Sequence, residues 1–419
     1  MNPMPPTDRS FRHILFACAL LAACDAADHA SPLPPRGACA LAVVASDYRS
    51  TALSLLTADG TLCAPDVITS GSRPPGLLTA LSGDVALPFE PDPAGLVRVI
   101  DRYPNAVVTT LDPLTSTVTD QLAASPGFAA NPQDLAFVPG GLLLARMERR
   151  PSDDSGDPTS YAGSDLLHVT PTATTPIVLA PYADPGFDPM PTRFARAAGR
   201  LWIGLTHLAP DFSAAGPGRA LALDPDSLAV THTLDLAPLQ NCGTLSSASP
   251  SHGLWVVCSG LFRNSPSGPQ RDHSGLAWLA PSLPSASLTP TWSLAAADLH
   301  PLDLDGRPLG LTLAALDDQR ALVVALGDLA TDRPDRRLLV DITDRTTPSI
   351  STLTESGPFE LGAVLPLPDE RLILVADADP RRPLLRRFTW PTADGTTTEL
   401  DPVVISPSGL PPRHIARFR

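Results

Sequence analysis

The sequence predicts an all-β protein, a seven-bladed β-propeller made of four-stranded antiparallel blades. One reason is a hairpin that occurs seven times within residues 38–419: an apolar strand, a turn of Asp, Pro, Thr or Gly, and a strand rich in Thr and Val. Its turns lie about 48 to 62 residues apart, the length of one blade with its loop. Helical patterning over about 11 residues is absent from this region. The chain also contains 49 prolines, which suit loops and edge strands but break helices.

Each predicted blade is built around its hairpin. The seven hairpins cover residues 52–63, 106–122, 165–180, 219–236, 275–294, 336–353 and 383–400. A more apolar strand precedes each hairpin, for example 41–45 and 141–145, and its nearly continuous hydrophobicity is typical of a strand buried on both faces. In most repeats a further strand precedes that one, as in 134–138 and 361–365, which completes a four-stranded blade.

The first repeat lacks its first strand, and the C-terminus is the predicted source of it. Residues 412–418, PRHIARF, resemble residues 132–137, PQDLAF, which begin another repeat. Pairing of the two chain ends would close the ring and remove an open sheet edge, a site at which sheets aggregate. At this point six or eight blades, or an array of two-sheet sandwiches, remain alternatives.

The hairpins resemble the YVTN and WD40-like propeller repeats that are common in exported bacterial proteins. The closest units are residues 106–113, AVVTTLDP, and 219–225, RALALDP, and the resemblance extends over residues 38–419. The Tyr-Val-Thr-Asn tetrad itself is missing, and the Trp-Asp and Gly-His signatures of eukaryotic repeats are not repeated. The resemblance therefore implies the fold and leaves the function open.

The first residues of the chain resemble a bacterial lipoprotein signal. Arg9 and Arg12 provide positive charge, residues 14–23 form a short apolar stretch, and the run LAAC at 21–24 matches a lipobox. The resemblance implies that Cys24 receives a diacylglyceryl group and that the chain is cleaved just before it. The alternative is an ordinary secretory signal in which Cys24 is incidental.

The lipobox divides the chain into three parts. Residues 1–23 are the predicted signal peptide, 24–37 a lipidated N-terminus with a Pro-rich tether, and 38–419 the propeller domain. We therefore expect an exported lipoprotein that its acyl chains anchor to a membrane of the bacterial cell envelope, facing either the periplasm or the cell surface.

Four cysteines follow Cys24 and form two pairs that are close in the sequence. An oxidising compartment and an even count favour disulfides over metal ligation, and no Cys-x-x-Cys motif is present. The spacing therefore predicts the disulfides Cys39–Cys63 and Cys242–Cys258.

Composition excludes several classes of function. The formal net charge is -14, whereas a nucleic-acid-binding protein needs a basic surface. The chain contains no lysine, which rules out Schiff-base catalysis and a Walker-type phosphate loop. It also lacks the His-Glu-x-x-His and Gly-x-Ser-x-Gly motifs, so the sequence names no catalytic residue, metal ligand or cofactor. A weak candidate for a metal site is the acidic group of Asp153, Asp154 and Asp157.

Polar residues recur in the loops expected at one face of the propeller. The functional hypothesis is a polar central funnel that binds an anionic or carbohydrate-like ligand. The structural alternative, which we favour at this point, is that repeated Asp and Arg side chains tie adjacent blades together. The candidate residues are Asp47, Tyr48, Arg49, Asp101, Arg102, Tyr103, Arg146 and Glu148.

Together these observations predict a non-enzymatic envelope lipoprotein. Its propeller would be a rigid binding scaffold for another envelope protein or a surface polymer, with no cofactor and no nucleic-acid partner. The alternative is a propeller hydrolase or lactonase with a metal site or an acid–base pair in the central funnel.

Overall fold

A computed structural model describes residues 33–124, 128–149, 163–265, 268–282, 287–295 and 307–419. Residues Leu33–Arg419 form one compact unit. The predicted signal peptide and Cys24 lie outside the described residues, as do Asp153, Asp154 and Asp157.

Seven antiparallel sheets of four strands each make up the fold, and the strands are numbered in chain order. Blade 1 holds β28 (Pro412–Arg417), β1 (Cys39–Ser46), β2 (Thr51–Thr57) and β3 (Leu62–Thr69); blade 2 holds β4 (Asp84–Ala86), β5 (Val97–Tyr103), β6 (Val107–Asp112) and β7 (Thr117–Ala123); blade 3 holds β8 (Pro132–Val138), β9 (Gly141–Arg149), β10 (Gly163–Val169) and β11 (Thr174–Ile177). Blade 4 holds β12 (Pro191–Ala197), β13 (Arg200–Leu205), β14 (Pro217–Leu223) and β15 (Val230–Gln240); blade 5 holds β16 (Thr244–Ser246), β17 (Leu254–Ser265), β18 (Gly268–Ser282) and β19 (Ser287–Ala295). Blade 6 holds β20 (Leu309–Ala315), β21 (Arg320–Ala325), β22 (Asp335–Asp341) and β23 (Ser349–Ser356); blade 7 holds β24 (Leu361–Leu367), β25 (Leu372–Asp377), β26 (Leu384–Thr389) and β27 (Glu399–Val403).

The predicted all-β, seven-bladed fold is confirmed. The only helical segments among the described residues are two short 3-10 turns, Arg36–Ala38 and Ala180–Tyr182. No helix in the described part of the chain has the length and apolarity to cross a membrane. The ring closes as predicted, because β28 pairs with β1 and Ile415 lies opposite Val43.

Burial follows the hydrophobic pattern that predicted the strands. Every residue of β25 is buried, and so is every residue but one of β1, because the second strand of a blade is covered by neighbouring blades on both sides. The outermost strand β27 has no buried residue. Trp202 and Trp255 are fully buried between blades, consistent with core packing.

Both predicted disulfides are present. Cys39 and Cys63 join the second and fourth strands of blade 1, and Cys242 joins the segment before β16 to Cys258 in β17. Gly218 is required beside the second bond, because a Cβ at that position would lie 2.0 Å from the Cys242 sulfur. Two disulfides are typical of a protein exported to an oxidising compartment.

The strand order defines two faces and a central channel. The upper face carries the loops between the second and third strands of each blade and the loops between successive blades. The innermost strands, β28, β4, β8, β12, β16, β20 and β24, begin at this face, surround the channel and end at the lower face. Residues early in an inner strand therefore lie near the upper mouth, and later residues lie deeper.

Candidate functional site

The central channel contains a cavity of about 380 Å³. All seven inner strands contribute lining residues, together with upper-face loops and the segment that follows β4. A concave site at the centre of the ring, lined by a few polar groups and many apolar ones, is the usual form of a small-molecule site.

Three guanidinium groups line this cavity. Arg102 ends β5 and pairs with Asp84, its Nε lying 2.9 Å from Asp84 Oδ1. Arg193 lies in β12, with Nη1 3.9 Å from Asp134 Oδ2. Arg413 lies in β28 and has no carboxylate within ion-pair distance among the described residues. The wall is therefore positive and suited to an anion.

Arg413 forms no ion pair among the described residues, and the carboxylate of Glu360 acts on its charge only from beyond ion-pair distance. Its Nη1 donates to the backbone oxygen of Phe359 at 3.3 Å, and its Nε donates to that of Ser46 at 3.4 Å. Its guanidinium carbon lies 5.0 Å from the centre of the Tyr48 ring. Backbone carbonyls and an aromatic face orient the guanidinium but do not neutralise it, so it remains available to a bound anion.

His414 lies next to Arg413 and also lines the cavity. Burial lowers the pKa of His414 well below its ordinary value, and the positive charges of the three arginines lower it further. In the described part of the chain, nothing forms a hydrogen bond to its ring. At neutral pH this imidazole is therefore uncharged and able to accept a proton from a molecule in the cavity.

Asp134 is a buried residue that binds residues of the cavity wall. Its side chain is fully buried and accepts the backbone amides of Phe89 at 3.2 Å and Phe194 at 2.9 Å, so that it links blades 2, 3 and 4. Burial raises the pKa of Asp134 to about 6, although Arg193 and the amides oppose this shift. Because it does not line the cavity, it positions Phe89 and Arg193 and does not contact a ligand.

Threonines form the opposite wall, in blades 4, 5 and 6. Thr192 donates to the backbone oxygen of Gly243, and Thr244 donates to that of Leu311 at 2.8 Å. The Thr312 hydroxyl accepts a 2.8 Å bond from buried Arg337. The contacts of Thr192 and Thr244 link the inner strands of blades 4, 5 and 6, and the contact of Thr312 ties β20 to β22, so these threonines are held in place and carry no charge themselves.

Two of the predicted funnel residues, Tyr48 and Arg102, line the cavity. Asp47 and Arg49 lie beside Tyr48 but form a surface turn, in which Asp47 Oδ1 accepts the amides of Arg49 and Ser50 at 2.9 and 2.7 Å. Tyr103 is exposed at the end of β5, outside the cavity lining.

The other three predicted residues have partners within the scaffold. Asp101 is fully buried and accepts the backbone amide of Ser82, which precedes β4, at 2.7 Å; burial raises its pKa. Arg146 donates to both oxygens of Asp165 at 2.7 and 2.6 Å. Glu148 accepts a 2.8 Å bond from the Asn131 side chain. These contacts are of the kind that tie strands and loops together.

Sequence reasoning missed Arg193, Arg413 and His414. They belong to no motif, because the lining of the channel is shared among seven inner strands that are far apart in the sequence. A usable signal was present, since both segments were predicted as inner strands and a charged residue in such a strand faces either the channel or a buried partner.

The cavity does not resemble a cation site. Among the described residues, no group of three His, Cys, Asp or Glu side chains is placed to hold a metal ion. Three guanidinium groups around His414 repel a cation. The donor set therefore favours acid–base chemistry with an anionic ligand.

Solved structures match this chain in fold, whereas no family model and no curated protein matches it in sequence. A Bacteroides fragilis protein provisionally described as a 6-phosphogluconolactonase matches with a TM-score of 0.54 and 11% identity, over 90% of this chain and 97% of that one. The periplasmic gluconolactonase of Pseudomonas aeruginosa matches with a TM-score of 0.52 and 14% identity, over 90% and 98%. A Sulfolobus tokodaii protein provisionally described as selenium-binding matches with a TM-score of 0.58 and 10% identity, over 92% and 96%. At these identities the likeness shows the fold alone.

The prediction of a non-enzymatic binding scaffold was wrong. The matched propellers include structures described as lactonases, each aligned over 90% of this chain. The error arose because missing motifs were taken as missing chemistry, whereas a channel assembled from seven inner strands needs no motif in the sequence.

Proposed function

We propose that the protein is a hydrolase of anionic lactones or esters and that the central cavity is its active site. The observation that carries the proposal is His414, an imidazole held neutral beside three guanidinium groups. The structural likeness to lactonase propellers supports this class of reaction.

The chemistry needs one base and a group that stabilises negative charge. His414 accepts a proton from a water molecule while the water oxygen attacks the ester carbonyl, which gives a tetrahedral oxyanion. When the bond from carbon to the ring or alkoxy oxygen breaks, the imidazolium returns the proton to that oxygen. The oxyanion re-forms the carbonyl, so the products are an alcohol and a carboxylic acid that releases its proton to solvent at neutral pH, and His414 is again neutral.

The arginines have separate roles in this scheme. Arg413, which forms no ion pair with a carboxylate in the described part of the chain, is next to the base in the sequence and stabilises the oxyanion. Arg102 and Arg193 each have a carboxylate nearby, at 2.9 Å and 3.9 Å, and they bind the anionic substituent of the substrate. The neutral threonine wall places no negative charge near the substrate.

Hydrolysis by the purified protein tests the proposal. A panel of lactones and esters, with and without a carboxylate or phosphate group, is followed in a pH-stat, and the uncatalysed rate is subtracted. We expect turnover of anionic members of the panel, and a loss of about 10² to 10⁴ in kcat for His414→Gln.

His232→Gln provides the matched control, because His232 is half-buried on the outer strand β15 and does not line the cavity. It should retain wild-type turnover. Full activity in His414→Gln, or equal turnover of neutral and anionic substrates, would contradict the proposed site.

We also propose that residues 1–23 are a signal peptide and that acyl chains on Cys24 anchor the mature protein to a cell-envelope membrane. The LAAC run at 21–24 supports this, and the two disulfides support export. Cells fed a radiolabelled fatty acid should label the wild-type protein but not Cys24→Ala. Label on the variant would overturn the anchor.

A further inference from the structure

Large apolar side chains face the central cavity although solvent reaches them. Leu311 is 44% exposed, Phe89 39%, Phe359 45% and Tyr48 62%, and all four line the same space. Scattered exposed apolar residues need no explanation, but a group that converges on one cavity is typical of a site for an apolar ligand group.

The cavity becomes more apolar with depth. Leu313, Leu365 and Ile415 lie late in β20, β24 and β28, below the level of Arg413. Arg102 and Arg413 lie toward the upper mouth and apolar side chains predominate below them, although Arg193 lies beside Phe89, so the cavity combines a positive upper region with a mainly apolar lower region. A ligand that fits both carries an anionic group joined to an apolar chain. A polyhydroxylated chain would lose hydrogen bonds to water without replacing them there.

Phe89 forms the floor of this cavity. It also lines a second cavity of about 260 Å³, together with Phe194, Leu201 and Pro250. The Phe89 side chain therefore lies between the two spaces, and its ring centre is 6.0 Å from the guanidinium carbon of Arg193.

The floor is held in place on both sides. Asp134 accepts the amide of Phe89 at 3.2 Å, and the adjacent Glu90 accepts the amide of Phe137 at 3.2 Å and pairs with Arg196. The ring cannot leave its position by a backbone movement without breaking these contacts. It is therefore a fixed stop for a chain that enters from the upper mouth.

We propose that the substrate is an anionic lactone or ester with an unbranched apolar chain, and that Phe89 determines the longest chain that fits. The statement that the ligand is cleaved at a lactone or ester bond rests on the proposed hydrolase function. Chain binding, however, is measurable without catalysis.

Calorimetric titration with straight-chain carboxylates, from butanoate to dodecanoate, tests the proposal. We expect the affinity of the wild-type protein to rise about fourfold for each added methylene and then to level off when the chain reaches Phe89. In Phe89→Ala the two cavities join, so the affinity should continue to rise with longer chains before it levels off. Leu311→Trp narrows the cavity and should move the plateau to shorter chains, which tests the proposal without altering the floor.

Phe212→Ala is the control, because Phe212 is an exposed aromatic outside the cavity lining and its loss should not move the plateau. The proposal is overturned if affinity is independent of chain length, if gluconate binds more tightly than hexanoate, or if neither cavity variant moves the plateau. Length-dependent binding without hydrolysis of any lactone would refute the proposed function and leave this inference standing.

Discussion

Arg146 and Arg413 both lie near the upper face, but their guanidinium groups have different surroundings. Arg146 is 3% exposed, donates to both oxygens of Asp165, and reaches the backbone oxygen of Ala124 at 3.2 Å. Arg413 donates to the backbone oxygens of Phe359 and Ser46, at 3.3 and 3.4 Å, and borders the cavity. The first guanidinium is neutralised by the scaffold, whereas the second keeps its charge for a ligand.

The two residues are of the same type, so the residue type does not decide whether a charged side chain belongs to the scaffold or to the site. The partner of the side chain decides it. Asp335 is a second scaffold example, because it accepts the amides of Phe359 and Leu361 at 3.0 and 3.1 Å and so joins blade 6 to blade 7. His414 is a second site example, since the described residues form no hydrogen bond to its ring.

Breaking the Arg146–Asp165 pair should have the largest effect. Asp165→Ala leaves a buried guanidinium without its carboxylate, which we expect to lower the free energy of unfolding by about 3 to 5 kcal/mol. Urea denaturation followed by circular dichroism measures this loss. Asp47→Ala removes an exposed turn carboxylate and serves as control. If both variants lose the same stability, the pair has no special role in the scaffold.

Asp134 provides a pH-dependent version of the comparison. Its folded-state pKa of about 6 lies above the ordinary value of 3.8, so its contribution to stability is fully present below pH 3.8 and is lost as pH rises through 6. Asp134→Asn has no such titration. As pH rises from 4 to 7, the wild type should therefore lose up to about 3 kcal/mol of its free energy of unfolding that the variant does not lose. Parallel stability curves across this range would show that the carboxyl does not titrate there.

The sequence predicted the scaffold well because its signals are local. Apolar strands, turn residues and cysteine spacing each act over a few residues and gave the seven hairpins and both disulfides, and the likeness of residues 412–418 to 132–137 gave the ring closure by β28. Each of these features depends on a blade or on two adjoining segments.

The site was predicted only in part, because it is assembled from the whole ring. Tyr48 and Arg102 were identified since the sequence predicted loops of polar residues at both positions, although Arg102 lies in β5. Arg193 and Arg413 stand alone in inner strands, and only the closed ring brings them beside His414. Whether an arginine is paired, as Arg146 is, also depends on residues far from it along the chain, and no local pattern records this.

Arg413→Met tests the site side of the comparison. The variant keeps an unbranched apolar stem but removes the guanidinium charge that faces the cavity. We expect kcat/KM for an anionic substrate to fall about 10- to 100-fold, while the free energy of unfolding changes by less than about 1 kcal/mol. Steady-state kinetics and urea denaturation of the same preparation measure both. A large loss of stability with unchanged kinetics would place Arg413 in the scaffold with Arg146.

The same variant should move the pH dependence of activity. Burial first, and then the positive charges of the arginines, lower the pKa of His414, so the neutral base persists below pH 6.5. Removal of the Arg413 charge raises this pKa, and the acid limb of kcat/KM should shift to higher pH. Arg49→Met, which removes an exposed charge from the same face, should leave the limb in place. Because burial is the larger cause, the shift in Arg413→Met should be partial, and an unmoved limb would mean that Arg413 does not act on the base through its charge.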